Sequence, residues 1–186
     1  MRRSVLAVAF ALLATAARAQ NIDRISVYAT GGKSTTTWHG QADLQAVNVE
    51  LARALSPRTE VAFVGATMNL WQPRSWFGAE FGDGNERVRA LSGSLLARRA
   101  FGRFYLEGST GPMWAEKRVP ASTSRFNFVS QAGAGILLLR GARVPLMLGY
   151  RFVHISNGGY APRNPGLNVF ALTLGAQFRN ATPPRR

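Results

Sequence analysis

Cysteine is absent from the 186 residues, which removes disulfide staples, thiolate nucleophiles and sulfur-ligated metal sites together. Histidine is nearly absent too. With only His39 and His154 in the chain, a histidine metal cluster has too few ligands, and neither a metal nor another cofactor is expected. Acidic residues are scarce, nine against 23 Lys and Arg, for a formal net charge of +14. A long hydrophobic run is also missing. The apolar stretch from Val5 to Ala17 falls short of the roughly 18 residues a membrane helix needs. It lies between Met1-Arg2-Arg3 and Ala17-Arg18-Ala19, the charged, hydrophobic and small-residue order of an export signal. Residues 1–19 are therefore expected to be a signal peptide, cleaved after Ala19. Its removal takes away Arg2, Arg3 and Arg18 and no acidic residue, leaving +11. An exported basic protein meets anionic lipid far more readily than nucleic acid, so lipid is the expected partner and nucleic acid is not.

What the chain does have is alternation. Arg24 to Ala29, Gln45 to Leu51, Glu60 to Leu70, Glu86 to Arg98, Arg103 to Trp114 and Phe126 to Leu138 switch between apolar and polar with the period of a strand. A final hairpin adds two more strands. Ser56-Pro57-Arg58, Ala100-Phe101-Gly102 and Arg140-Gly141-Ala142-Arg143 supply short turns. Gly31 to Asp43, Trp71 to Asn85 and Lys117 to Arg125 are long polar loops, and a Pro/Gly/Asn-rich loop joins the last pair. Long connections at one end and short ones at the other are the pattern of an outer-membrane barrel, not of a soluble sandwich. An all-β, eight-stranded antiparallel transmembrane barrel over residues 20–178 is expected, in the outer membrane, with residues 179–186 as a disordered tail.

Trp38, Trp71, Trp76 and Trp114 fall at or beyond the long-loop ends, where an interfacial aromatic girdle belongs. The opposite phase carries Asn48, Glu50, Glu60, Glu107, Asn127, Gln131, Arg151 and Gln177. Such groups cost several kcal/mol each in lipid. They are expected to fill the interior as a paired network, and eight strands leave no room for a pore.

The chemistry concentrates in the last hairpin, Tyr150-Arg151-Phe152-Val153-His154-Ile155-Ser156-Asn157-Gly158-Gly159 followed by Asn164-Pro165-Gly166-Leu167-Asn168. Steps of two back from His154 give Phe152, Tyr150, Leu148 and Leu146, and one forward gives Ser156. Steps back from Phe178 give Ala176, Leu174, Leu172, Phe170 and Asn168. Two apolar, lipid-facing stripes thus end in His154/Ser156 and in Asn168, which a hairpin brings together. Polar residues in that phase are costly. They also suit headgroup level at a strand end, and Ser-Asn-Gly-Gly is ordinary turn chemistry.

The His154-x-Ser156-Asn157 element with Asn164-Pro165-Gly166 downstream resembles the lipid A 3-O-deacylase family of outer-membrane barrel esterases. The resemblance is close over the final hairpin and rests elsewhere on architecture. It implies removal of the 3-position hydroxyacyl chain of lipid A at a triad on the barrel exterior. Carried over, Ser156 is the nucleophile and His154 the base. Asn157, with backbone N–H groups around Gly158 and Gly159, is the candidate oxyanion hole, and Asn164 either joins it or serves as the turn residue before Pro165. The position of the family's acidic member holds Asn168. An amide still accepts a hydrogen bond from imidazole; Glu80, Asp83 and Glu116 are the loop carboxylates that stand in reserve. Lys33, Arg74, Arg87, Lys117, Arg118, Arg125 and Arg163 in or beside the loops offer a basic rim for lipid A phosphates or for anionic lipid in general. A homodimer is the other partner the chain allows. Two alternatives stay open: a structural or interaction barrel that keeps the hairpin without its activity, and an acyltransferase barrel.

Overall fold

The alternation becomes eight antiparallel strands that close on themselves in sequence order. The computed structural model describes residues 22–34, 41–73, 84–121 and 123–179. The strands are β1 Arg24–Ser34, β2 Asp43–Ser56, β3 Thr59–Gln72, β4 Glu86–Phe101, β5 Phe104–Ala115, β6 Phe126–Leu138, β7 Leu146–Ser156 and β8 Leu167–Arg179. Closure is made by β1 against β8, from Arg24↔Arg179 to Ser34↔Val169. Every strand is thereby paired on both sides, the condition for sheet to stand in lipid. The expected signal peptide and residues 180–186 of the expected tail lie outside the described residues, as do Trp38, Trp76, His39, Arg74, Glu80 and Asp83.

Several strands run beyond their alternating cores. β1 and β2 stay paired through Gly31↔Gln45 and Lys33↔Asp43, although Gly31, Lys33 and Asp43 belong to the run whose composition reads as loop. Main-chain hydrogen bonds to a neighbouring strand satisfy backbone groups whatever the side chain, so pairing outlasts the hydrophobic pattern. At the other end β8 includes Arg179, the first residue of the expected tail.

The two faces separate as the phase predicts. Leu172 and Leu174 are 62% and 59% exposed and point outward, together with Val47, Phe63, Leu91, Leu95, Leu106, Leu148 and Phe152. An apolar surface of that extent suits hydrocarbon, not water. Trp114 is exposed at the loop end of β5 and Trp71 stands near the loop end of β3.

The interior divides along the barrel axis. At the loop end Leu44, Leu70, Val88, Met113, Val129, Val153, Ile155, Leu167 and Val169 form an apolar plug. Toward the turn end three arginines meet three glutamates. Arg98 Nη1 and Nη2 donate to Glu50 Oε1 and Oε2, both at 2.8 Å, and reach Glu60 at 2.6 Å and Glu107 at 2.7 Å. Arg24 Nη2 donates to Glu50 at 2.6 Å and also pairs with Glu60. Arg151 Nε donates to Glu107 at 2.6 Å while its guanidinium lies 4.5 Å over the Tyr28 ring. The other expected inward groups also face in. Asn48 donates to the Tyr28 carbonyl and Thr30, Asn127 to the Ser124 carbonyl, Gln131 lies 3.5 Å from Arg151, and Gln177 is buried.

Glu50, with no exposed surface, is shared by two arginines. Removing one member of a buried network strands the charges it matched, so Glu50→Leu should destabilise the barrel by about 3–5 kcal/mol. Urea unfolding of the refolded protein in micelles measures it, and a shift below about 1 kcal/mol would show the network to be weakly coupled to stability.

Candidate active site on the outer face of the final hairpin

β7 ends at Ser156 and β8 begins at Leu167, and Asn157 organises the ten residues between them. Its backbone N–H donates to Asn164 Oδ1 at 3.0 Å, its Nδ2 donates to the Arg163 carbonyl at 2.7 Å, and its Oδ1 accepts the Gly159 N–H at 2.8 Å. Asn157 is completely buried. Both ends of its amide are therefore engaged in holding the loop. Gly159 has φ of +85° and Gly166 of +70°, left-handed positions where glycine is favoured.

That loop sets the register below it, in which His154 lies directly opposite Asn168. His154 Nδ1 is 2.6 Å from Asn168 Oδ1. A carbonyl oxygen only accepts, so Nδ1 carries the proton and Nε2 is left with its lone pair. The inward neighbours of the pair, Val153, Ile155, Leu167 and Val169, are 0–6% exposed within the apolar plug. Packed neighbours on both strands fix the backbone from which the two polar side chains project. Tyr150, Phe152 and Phe170 continue the outer face, with ring centroids 5.8 Å apart for Tyr150–Phe170 and 5.3 Å for Phe152–Phe170.

Ser156 shares the outward phase, with Cα atoms about 6–7 Å apart for residues two along a strand. It sits opposite Phe128 of β6. Among the described residues its hydroxyl has no hydrogen-bond partner, so the structure joins His154 to Asn168 but does not join Ser156 to His154. Nucleophile–base bonds are often long before substrate binds.

Gly166 is the functional position that sequence reasoning left without a role. A Cβ built there would stand 2.9 Å from His154 Cε1, so the imidazole rests in space that only glycine leaves open. Its signal in the sequence was the glycine immediately before the closing strand. Of the reserve carboxylates, Glu116 lies just past β5 and accepts the N–H of Arg89 on β4 at 3.0 Å, and neither of those strands borders β7. In the basic rim, Lys33 is exposed opposite Phe170 on β8, Arg87 and Arg125 are exposed, and Lys117 pairs with Glu86. Arg118 and Arg163 each offer a carbonyl to an amide side chain, of Gln72 and Asn157 respectively.

Comparison with known proteins agrees with this architecture. A family profile described as Lipid A 3-O-deacylase (PagL) matches residues 30–177. The lipid A deacylase PagL of Bordetella bronchiseptica is 37% identical over 82 residues, which is 41% of this chain and 42% of that protein. The aligned part thus spans under half the length of that relative. Among solved structures, the outer membrane enzyme PagL superposes with a TM-score of 0.54 at 15% identity, covering 82% of this chain and 98% of that one. Neisserial surface protein A gives 0.55 at 12% identity, covering 84% and 96%. At those identities the likeness shows the fold, that of outer-membrane barrels. The family match extends over most of the barrel and includes His154, Ser156 and Asn168, and on that ground the chain belongs to the lipid A 3-O-deacylase (PagL) family.

Proposed function

We propose that this protein is an outer-membrane esterase that hydrolyses the 3-O-linked hydroxyacyl chain of lipid A, exported by the signal in residues 1–19. The observation that carries the reading is the hydrogen bond of 2.6 Å between His154 Nδ1 and Asn168 Oδ1, made on the lipid-facing side of a barrel whose interior is packed. It fixes the tautomer in which Nε2 is a base. Nε2 takes the proton of Ser156 Oγ as the oxygen attacks the ester carbonyl. The tetrahedral intermediate collapses, the sugar alkoxide leaves with that proton from Nε2, and water attacks the acyl-serine by the same route.

The oxyanion forming on the carbonyl needs donors near Ser156. Asn164 suits this task better than Asn157. Its Oδ1 is pinned by the Asn157 N–H, one peptide bond from Ser156, which leaves its Nδ2 hydrogens available. The Gly158 N–H is the backbone candidate, because the Gly159 N–H already donates to Asn157. Lys33 and Arg163 border the site and would receive lipid A phosphates.

Incubating purified protein with lipid A and comparing masses tests the reading: loss of one hydroxyacyl group is expected. Unchanged mass would favour the second reading, a barrel that holds the hairpin without turnover, which draws on the amide at Asn168 and the unbonded Ser156. The pocket under the imidazole gives a further expectation. Gly166→Ala should displace the His154 ring and lower the hydrolysis rate on the order of 10²-fold while the barrel still shows heat-modifiable migration on a gel. Full activity in that variant would mean the ring position is not set by Gly166.

A further inference from the structure

One polar feature of the outer wall runs on from His154 and Asn168 across two further strands. Thr110 of β5 is opposite Ser130 of β6, Ser130 is opposite His154 of β7, and His154 is opposite Asn168 of β8. All four point outward, so a polar row crosses four strands of an otherwise apolar face. Its neighbours in the same phase on β5 and β6 are Pro112 and Phe128 on the loop side and Gly108 and Ala132 on the turn side. Because the strands are staggered, the row descends from the rim at Asn168 to the middle of β5 at Thr110. A hydroxyl at that depth is expensive unless its donor is matched. Thr110 Oγ1 and Ser130 Oγ are 2.9 Å apart. That bond uses one of the two hydroxyl hydrogens and leaves the other, with several lone pairs, facing lipid.

We propose that Ser130 and Thr110 form a subsite that binds a hydroxyl on the acyl chain being removed, and so select hydroxylated over plain acyl esters. This rests on the deacylase reading above. Ser130 is the first outward β6 residue below Phe128, the register partner of Ser156. Directly opposed outward side chains have Cβ atoms about 4.5–5.5 Å apart. An acyl chain bonded to Ser156 and running down into hydrocarbon therefore passes Ser130 at the level of His154. A hydroxyl on the second carbon from the ester carbonyl both donates and accepts, which matches what the Ser130–Thr110 pair has left over. Beyond it the wall is made of small residues, Ala132 and Gly108. It continues into an apolar depression bordered by Phe63, Leu95, Ala97 and Thr110, which suits the rest of a saturated chain.

The test is kcat/KM in detergent micelles for two sugar 3-O-acyl esters of equal chain length, one with that hydroxyl and one without. Wild type should prefer the hydroxylated ester about 10-fold, the scale of one hydrogen bond at a partly lipid-exposed site. In Ser130→Ala/Thr110→Val the ratio should fall to about one, and Ser130→Thr, which keeps the hydroxyl, should retain the preference. Ser130→Ala and Thr110→Val singly should each reduce the ratio, which keeps the test decisive where the double variant does not refold. A wild type without preference, or variants that keep the full ratio, would overturn the subsite while leaving the deacylase reading intact. Cleavage of neither ester by wild type overturns both.

Discussion

Ser156→Ala should reduce acyl release from lipid A to background, a loss on the order of 10⁴-fold or more, with the barrel intact. The size of the effect follows from chemistry that nothing else on this face supplies. Among the outward groups near His154, Ser130 is engaged with Thr110 and Asn168 with the imidazole. Among the described residues beside His154, the Ser156 hydroxyl alone is uncommitted. Its stability cost is small, because a partly exposed hydroxyl without a hydrogen bond contributes little to folding. His154→Ala should cost about as much, and the double variant no more than either single one, since nucleophile and base act as a unit. Hydroxy fatty acid release at the wild-type rate by purified Ser156→Ala protein would show that Ser156 is not the nucleophile.

Phase along the strands carried most of this in the sequence. A period of two decides which side chains face lipid, and it placed His154, Ser156 and Asn168 on the outer face and Glu50, Glu107 and Arg151 inside without any knowledge of neighbours. Phase does not say which inward residues meet. Arg24 and Arg98, at the start and near the end of their strands, join the glutamates only because register and stagger bring five different strands to one level. The split of the interior into an apolar plug and a charged half was hidden for the same reason. Asn157 was legible as a polar residue at a turn, while its engagement by Arg163 and Gly159 depends on how ten loop residues fold back. Gly166 was legible only as a glycine before the closing strand, because its contribution is the absence of a Cβ beside a ring twelve residues earlier in the chain.

Asn168 is where the hairpin departs from an acid-bearing triad, and the departure yields a signed expectation. The amide oxygen lies 2.6 Å from Nδ1 and so orients the ring, yet it carries no charge to stabilise the imidazolium that the proposed mechanism forms when Nε2 takes the Ser156 proton. Asn168→Ala removes orientation and tautomer choice together, and should slow hydrolysis by about 10- to 1,000-fold. Asn168→Glu keeps an acceptor and adds the missing charge, so activity near neutral pH should hold or rise. The added carboxylate costs little in the fold. Asn168 is the second residue of β8, at the loop end where outward charges cost about 0–1 kcal/mol, and Val169 and Leu167 beside it keep their packing in the apolar plug. Rates of hydroxyacyl release by the two purified variants in detergent decide the matter. Full activity in Asn168→Ala would remove Asn168 from the mechanism, and a fall in Asn168→Glu would mean that its geometry, not its lack of charge, is what the site requires.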